Sequence, residues 1–209
     1  MLRREGLDAR CFLIGDVDSV RGAAAYHLDL LRRIGGRVDA GSVDNLDDYD
    51  VIVDALFGTG FRGRAEGDAA RAIEAMNAAA VPVVAVDIPS GLNGLTGTVD
   101  GPAARADVTV TFHAQKLGTA LSPGAAYAGD VVVSDIGIGP HAAQALMTMA
   151  AEVARIVPPR PPDAHKRSAG SVALLAGSDA MSGAALLAAR GALRGGAGYV
   201  TLGVTAGIK

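Results

Sequence analysis

A carboxylate interrupts an apolar run, Val51-Ile52-Val53-Asp54-Ala55-Leu56-Phe57. Burying a carboxylate is costly unless something pairs with it. Asp54 is therefore either a cap for a nearby loop or a ligand for a cation or a polar substrate. Gly58, Thr59, Gly60, Phe61, Arg62, Gly63 and Arg64 follow directly. Glycines let backbone N–H groups approach phosphates, and the arginines add charge. Read literally this is G-x-G-x-x-G after a strand, with Asp87 about 20 residues on, where a ribose-binding acid is expected. A lone match of this kind is weak, and two details oppose an ordinary dehydrogenase. The helical pattern resumes only near Gly67-Asp68, and the acid is followed by Pro89 and Gly91 in an unusual tight turn.

That turn, Val86-Asp87-Ile88-Pro89-Ser90-Gly91-Leu92-Asn93, leaves the carboxyl end of an expected strand, where α/β folds place ligands. Asp87 can exchange a proton or grip a hydroxyl. Ser90 offers an oxygen to a hard cation, or is simply a turn residue. A Ser-His-Asp triad is not expected, because His27 lies in a helical stretch and Ser90 lacks nucleophile-elbow spacing. After the next strand comes His113-Ala114-Gln115-Lys116, where Lys116 either reaches an anionic ligand or faces solvent.

The elements that must position these residues are short apolar runs: Arg10–Ile14, Val51–Phe57, Val81–Val86, Val108–Phe112, Val131–Ile136, Val172–Ala176 and Tyr199–Val204. Most lack polar alternation, as strands buried on both faces do. Helical patterns at Val20–Ile34, ended by Gly35-Gly36, and at Ala69–Ala79 fall between them. This predicts a Rossmann-like, doubly wound α/β sandwich with a mostly parallel sheet. The break Val157-Pro158-Pro159-Arg160-Pro161-Pro162 separates it from a second Gly-rich strand–helix–strand unit, which is expected to be incomplete.

Half of the 209 residues are apolar, so a sizeable core can be buried. The net charge of −3 gives no electrostatic case for nucleic acid. Single Cys11 cannot form an internal disulfide, which fits a reducing cytoplasm, and its apolar setting predicts a buried structural thiol. The residues Met1–Gly6 lack the apolar core of a signal peptide, and no run of about 18 apolar residues suggests a membrane span.

Four segments together, Val53-Asp54-Ala55-Leu56-Phe57-Gly58-Thr59-Gly60, Val86–Asn93, Thr111-Phe112-His113-Ala114-Gln115-Lys116 and Ser134-Asp135-Ile136-Gly137, resemble the NAD(P)H-hydrate epimerase domain. His165-Lys166, Leu175-Ala176-Gly177-Ser178 and Met181-Ser182-Gly183-Ala184-Ala185 resemble the opening of an ADP-dependent NAD(P)H-hydrate dehydratase domain, ribokinase-like in fold. The resemblance implies an epimerase domain over residues 1–140, a linker helix and Pro-rich segment over 141–164, and part of a dehydratase domain over 165–209. It implies a potassium ion held by Asp54 and Ser90, and a loop Gly58–Arg64 around the phosphates and sugar of hydrated NADH or NADPH. It makes Asp87 a contact to the hydrated nicotinamide and the candidate acid/base, and Ala184 a substrate-contacting position in the ADP-dependent half. The family's Asn-Asn-Gly-Gly-Asp-Gly loop, which supplies a further potassium ligand, has no counterpart here, nor has the later Gly-Thr-Gly-Asp motif; Arg167 stands where Gly usually follows His-Lys. A chain cut at both ends, with impaired activity, is the expectation. No nucleic acid or membrane partner is expected, and assembly into a homo-oligomer is left open. The rival readings are an NAD-dependent dehydrogenase and a non-catalytic binding or interaction module.

Overall fold

A computed structural model describes residues 5–41, 43, 45–139, 143, 145–157 and 159–207. The expected domain limit at residue 140, Pro158 of the proline-rich break and Met1–Arg4 lie outside the described residues. The chain forms two compact units, Met1–Ala145 and Leu146–Lys209.

In the first unit, β1 (Arg10–Leu13) pairs in parallel with β2 (Arg37–Ala40), and α1 (Gly22–Arg33) connects them. A second parallel sheet has the order β3 (Ile52–Asp54), β4 (Val83–Val86), β5 (Val108–Phe112) and β6 (Asp130–Ser134). Helix α2 (Gly67–Ala78) joins β3 to β4, and two short helices, α3 (Leu117–Ala120) and α4 (Ala125–Ala128), lie between β5 and β6. The Rossmann-like, mostly parallel α/β arrangement is the one the alternation of apolar runs and helical patterns predicts.

Helix α2 turns Ala72, Ile73 and Met76 inward, at the i, i+1 and i+4 spacing of one helical face. Ile73 and Met76 join Ile52 and Val83 in one buried apolar cluster, and the register sets Ile52 beside Val83 and Asp54 beside Ala85, itself beside Thr109, all of them buried. Phe12, Ile14, Leu56, Phe57 and Phe61 pack against the resulting apolar cluster.

The expectation of strands buried on both faces is corrected. β3, β4 and β5 alternate between buried and more accessible residues, and Val53 is half exposed. Ile52 and Val83 on the buried face belong to the apolar cluster, and Ala85 on the same face is fully buried. The buried-thiol expectation for Cys11 also fails, because Cys11 is exposed. Side chains alternate along a strand, and in β1 it is neighbouring Phe12 that turns to the core. Strand β3 is shorter than the apolar run around it, because the Leu56 N–H donates to Asp54 Oδ1, a local side-chain turn that ends the strand. β2 lacks an apolar run, and part of its pairing comes from an ion pair between Arg10 and Asp39 across the ladder.

The second unit holds α5 (Ala150–Ile156), then β7 (Ser171–Leu175) and β8 (Tyr199–Gly203) paired in parallel, with α6 (Ser182–Arg194) between them in sequence. Among its described residues, Ala185 on α6 is the buried apolar one. Among the described residues of the chain, no helix is long and apolar enough to cross a membrane.

Candidate functional site

Parallel strands deliver their carboxyl ends to one edge of a sheet, and this is where the chemistry-bearing residues collect. Asp54 is the last residue of β3, Asp87 follows the last residue of β4, and His113 follows the last residue of β5. Both Asp87 (φ 72°) and His113 (φ 65°) adopt the left-handed conformation, unusual for residues other than glycine. Each makes the chain turn sharply as it leaves its strand.

Asp54 and Ser90, 36 positions apart in the chain, form one buried unit. The Ser90 hydroxyl donates to Asp54 Oδ1 at 2.6 Å, and the Ser90 N–H donates to Asp54 Oδ2 at 2.7 Å. The same hydroxyl accepts the Phe57 N–H at 2.8 Å, so Ser90 ties the turn to the start of the Gly58–Arg64 loop. Asp54 is 1% exposed and Ser90 0%. Burial pushes the Asp54 carboxyl above its ordinary range, and the hydrogen bonds from Ser90 and Leu56 only partly oppose this. The turn sits where it does because Gly91 (φ 89°) passes against backbone: a Cβ there would run into the Pro102 carbonyl and lie 2.8 Å from Ala103 Cα. Ser90 O in turn accepts the Ala104 N–H at 2.8 Å.

Asp87 heads a second cluster. Its Oδ1 forms an ion pair with Lys116 Nζ at 2.5 Å and accepts from the Thr111 hydroxyl at 3.2 Å and the Phe112 N–H at 3.3 Å. Lys116 also donates to Thr111 Oγ1 at 3.0 Å and to the Phe112 carbonyl at 2.7 Å. The solvent-facing alternative for Lys116 is thus set aside, since its side chain is 20% exposed. Thr111 is the residue that the sequence reading left without a role. It resembles any β-branched strand residue, and the one available signal was its polar side chain at a core-facing position of β5.

The Gly58–Arg64 loop lies beyond Asp54. Phe57 and Phe61 stack with ring centroids 4.6 Å apart, and the Phe61 N–H closes a turn on the Gly58 carbonyl at 3.0 Å. The space above Gly58, Gly60 and Gly63 is open to an approaching group. Arg62 folds back, donating to the Thr59 and Phe61 carbonyls at 2.7 and 2.6 Å. Arg64 lies along Gly101 instead. Helix α2 begins at Gly67, so Gly63 does not open a helix as the dinucleotide fingerprint requires. Ala184 is in the first turn of α6 in the second unit, and is exposed.

The donor set at Asp54 and Ser90 consists of hard oxygens, and the partners described for the Asp54 carboxyl are neutral N–H and O–H groups. A buried carboxyl without a cationic side chain on it fits an alkali cation held through oxygen. Among the described residues, no cluster of His, Cys, Asp and Glu suits a transition metal.

Comparison with known proteins places this geometry in context. The chain is 37% identical, over its whole length, to the bifunctional NAD(P)H-hydrate repair enzyme Nnr of Moorella thermoacetica, and covers 42% of that protein. It is 47% identical to the protein of the same name from Methanothermobacter thermautotrophicus, over 73% of this chain and 29% of that one. The chain thus spans about two fifths of the length of the first of these relatives. Its fold is similar to the crystal structure of the yeast protein ynu0, YNL200c, with a TM-score of 0.53 at 17% identity, covering 69% of this chain and 65% of that one. Residues 1–118, more than half of the chain, match the family described as YjeF-related protein N-terminus, and the chain belongs to that family.

Proposed function

We propose that the first unit interconverts the R and S forms of hydrated NADH and NADPH. The observation that carries this reading is the meeting, at neighbouring strand ends, of a glycine-lined loop, a buried oxygen pair and an ion-paired carboxylate. The names of the relatives support the substrate class. The open glycines and backbone N–H groups of Gly58–Arg64 would receive the phosphates and sugar, with the arginines turning outward from their present contacts. Asp87 would contact the hydroxyl on the hydrated ring. Binding energy from the remote nucleotide would hold that carbon against the carboxylate.

Inversion at the hydroxyl-bearing carbon requires one of its bonds to break and re-form. Loss of the hydroxyl as water and return of water on the opposite face balances without an oxidant. Asp87 would move the protons this needs. A potassium ion at Asp54 and Ser90 would supply a fixed positive charge that keeps the Asp54 carboxylate ionised. The turn Asp87–Asn93 would then hold its shape through the Ser90 backbone and hydroxyl. In the second unit, Ala184 near the start of α6 would contact substrate in an ADP-dependent dehydratase. The whole-length match to the Moorella repair enzyme supports this assignment.

The test is chromatographic separation of the R and S hydrates over time, with potassium or a large organic cation as the monovalent ion. Faster approach to equilibrium with the chain than without it, lost in Asp87→Ala, is the expected result. Hydride transfer to an added alcohol without epimerisation would favour the dehydrogenase reading instead. Binding with no turnover of either kind would favour the non-catalytic one.

A further inference from the structure

We infer that Lys116 and Thr111 are positioning residues that grip one oxygen of Asp87, so that the other oxygen, Oδ2, is the atom offered to the ligand's hydroxyl. This rests on the function proposed above. Every hydrogen bond described for the Asp87 carboxylate falls on Oδ1: the Thr111 hydroxyl at 3.2 Å and the Phe112 N–H at 3.3 Å, alongside the Lys116 ion pair at 2.5 Å. A carboxylate held through one oxygen by three groups in different directions has little freedom to rotate.

The bonding of Lys116 points the same way. An ammonium has three N–H donors, and three acceptors surround this one: Asp87 Oδ1, Thr111 Oγ1 and the Phe112 carbonyl. A lysine whose donors are all engaged inside the protein is not arranged to catch a phosphate. Thr111, 0% exposed, completes the grip. Its hydroxyl accepts from Lys116 and can donate to Asp87, so one side chain carries the lysine's direction over to the carboxylate. The backbone fixes the base of the arrangement, since the Asp87 N–H donates to the Val110 carbonyl at 2.8 Å. The Asp87 side chain remains 17% exposed, which leaves a way in for a ligand.

The experiment uses the full chain with hydrated NADH as the probe, and the variants Lys116→Met, Lys116→Arg and Thr111→Val. Circular dichroism checks that each is folded. Lys116→Met should slow the maximal epimerisation rate about 100-fold, the order expected for a displacement of roughly 1 Å. Its Kd for the hydrate should change by less than about three-fold. Lys116→Arg should restore much of the rate, and Thr111→Val should lose about ten-fold. A weakened Kd with the maximal rate intact would make Lys116 a ligand-binding group and overturn the inference. A second arm needs no turnover: crystal structures of the unaltered chain and of the variants. The Asp87 carboxylate should rotate away from the Phe112 N–H in Lys116→Met and shift in Thr111→Val. An unmoved carboxylate would overturn the inference whatever the activity. If the unaltered chain neither binds nor epimerises the hydrate, the proposed function falls while the structural arm still decides the grip. If Lys116→Met does not fold, Thr111→Val and Lys116→Arg decide it.

Discussion

Replacing Ser90 by Ala removes a single oxygen from the buried junction between turn and loop. In the folded protein that oxygen donates to Asp54 Oδ1 at 2.6 Å and accepts from the Phe57 N–H at 2.8 Å. Ser90 is 0% exposed, so the junction is closed to bulk water. The variant leaves the Phe57 N–H without this acceptor and takes one donor from a buried carboxyl. Each such loss costs about 1–3 kcal/mol. Asp54 keeps its bonds from the Ser90 and Leu56 N–H groups, so a total of about 2–4 kcal/mol is expected. In a domain of roughly 150 residues, 1 kcal/mol moves Tm by about 2–4 °C, giving a fall of roughly 5–15 °C. Differential scanning calorimetry measures it, and the loss should appear in the transition of the first unit. The same substitution in an Asp54→Ala background should cost at least about 1 kcal/mol less, because the shared bond is already gone. A fall below about 0.5 kcal/mol, or an equal loss in both backgrounds, would refute the idea that Ser90 joins Asp54 to the loop.

Two further outcomes follow from the same region. Burial raises the Asp54 carboxyl above its ordinary value of 3.8, so between that value and the raised folded one the folded state binds more protons than the unfolded state. The contribution of Asp54 is therefore fully present at lower pH and is lost as the pH rises through the raised folded value. Urea titrations across this range should show a smaller decline in Asp54→Asn than in the unaltered chain, and potassium should flatten the decline in the unaltered chain alone; identical slopes would contradict this. Gly91→Ala sets a Cβ against the Pro102 carbonyl at a φ of 89°, so it should destabilise by more than about 2 kcal/mol and lower the midpoint of urea unfolding, whereas an unchanged midpoint would show that the turn can move aside.

Much of this was legible in the chain because particular residues broke a local rule. Asp54 in an apolar strand announced a buried partner, and Ser90 supplies it. β5 was readable to the residue, since Val108–Phe112 is an uninterrupted β-branched and aromatic run. β2 was not, because Arg37-Val38-Asp39-Ala40 has no apolar run and is joined to β1 by pairing and charge. Helices α3 and α4 were missed because four residues are too few to show a helical period. The sequence does not decide between the two roles open to Lys116, since nothing local in His113–Lys116 shows that the chain doubles back to bring the ammonium onto Asp87. The apolar run around Cys11 does not reveal its exposure, because alternation places only one face of that run, the one carrying Phe12, on the core.

The left-handed backbone at Asp87 sets stability against the proposed chemistry at one position. Glycine there would adopt the same φ without the steric penalty borne by an L side chain, a relief of order 1 kcal/mol. It would also delete the carboxylate and strand Lys116 without its counter-charge. Screening variants for thermal tolerance alone could therefore enrich glycine at this position only if Lys116 changed with it, and the doubly altered protein would be a sturdier fold without the carboxylate proposed to act on the ring hydroxyl. Thermal tolerance and turnover should part company here, and a library scored on the first would drift away from the second.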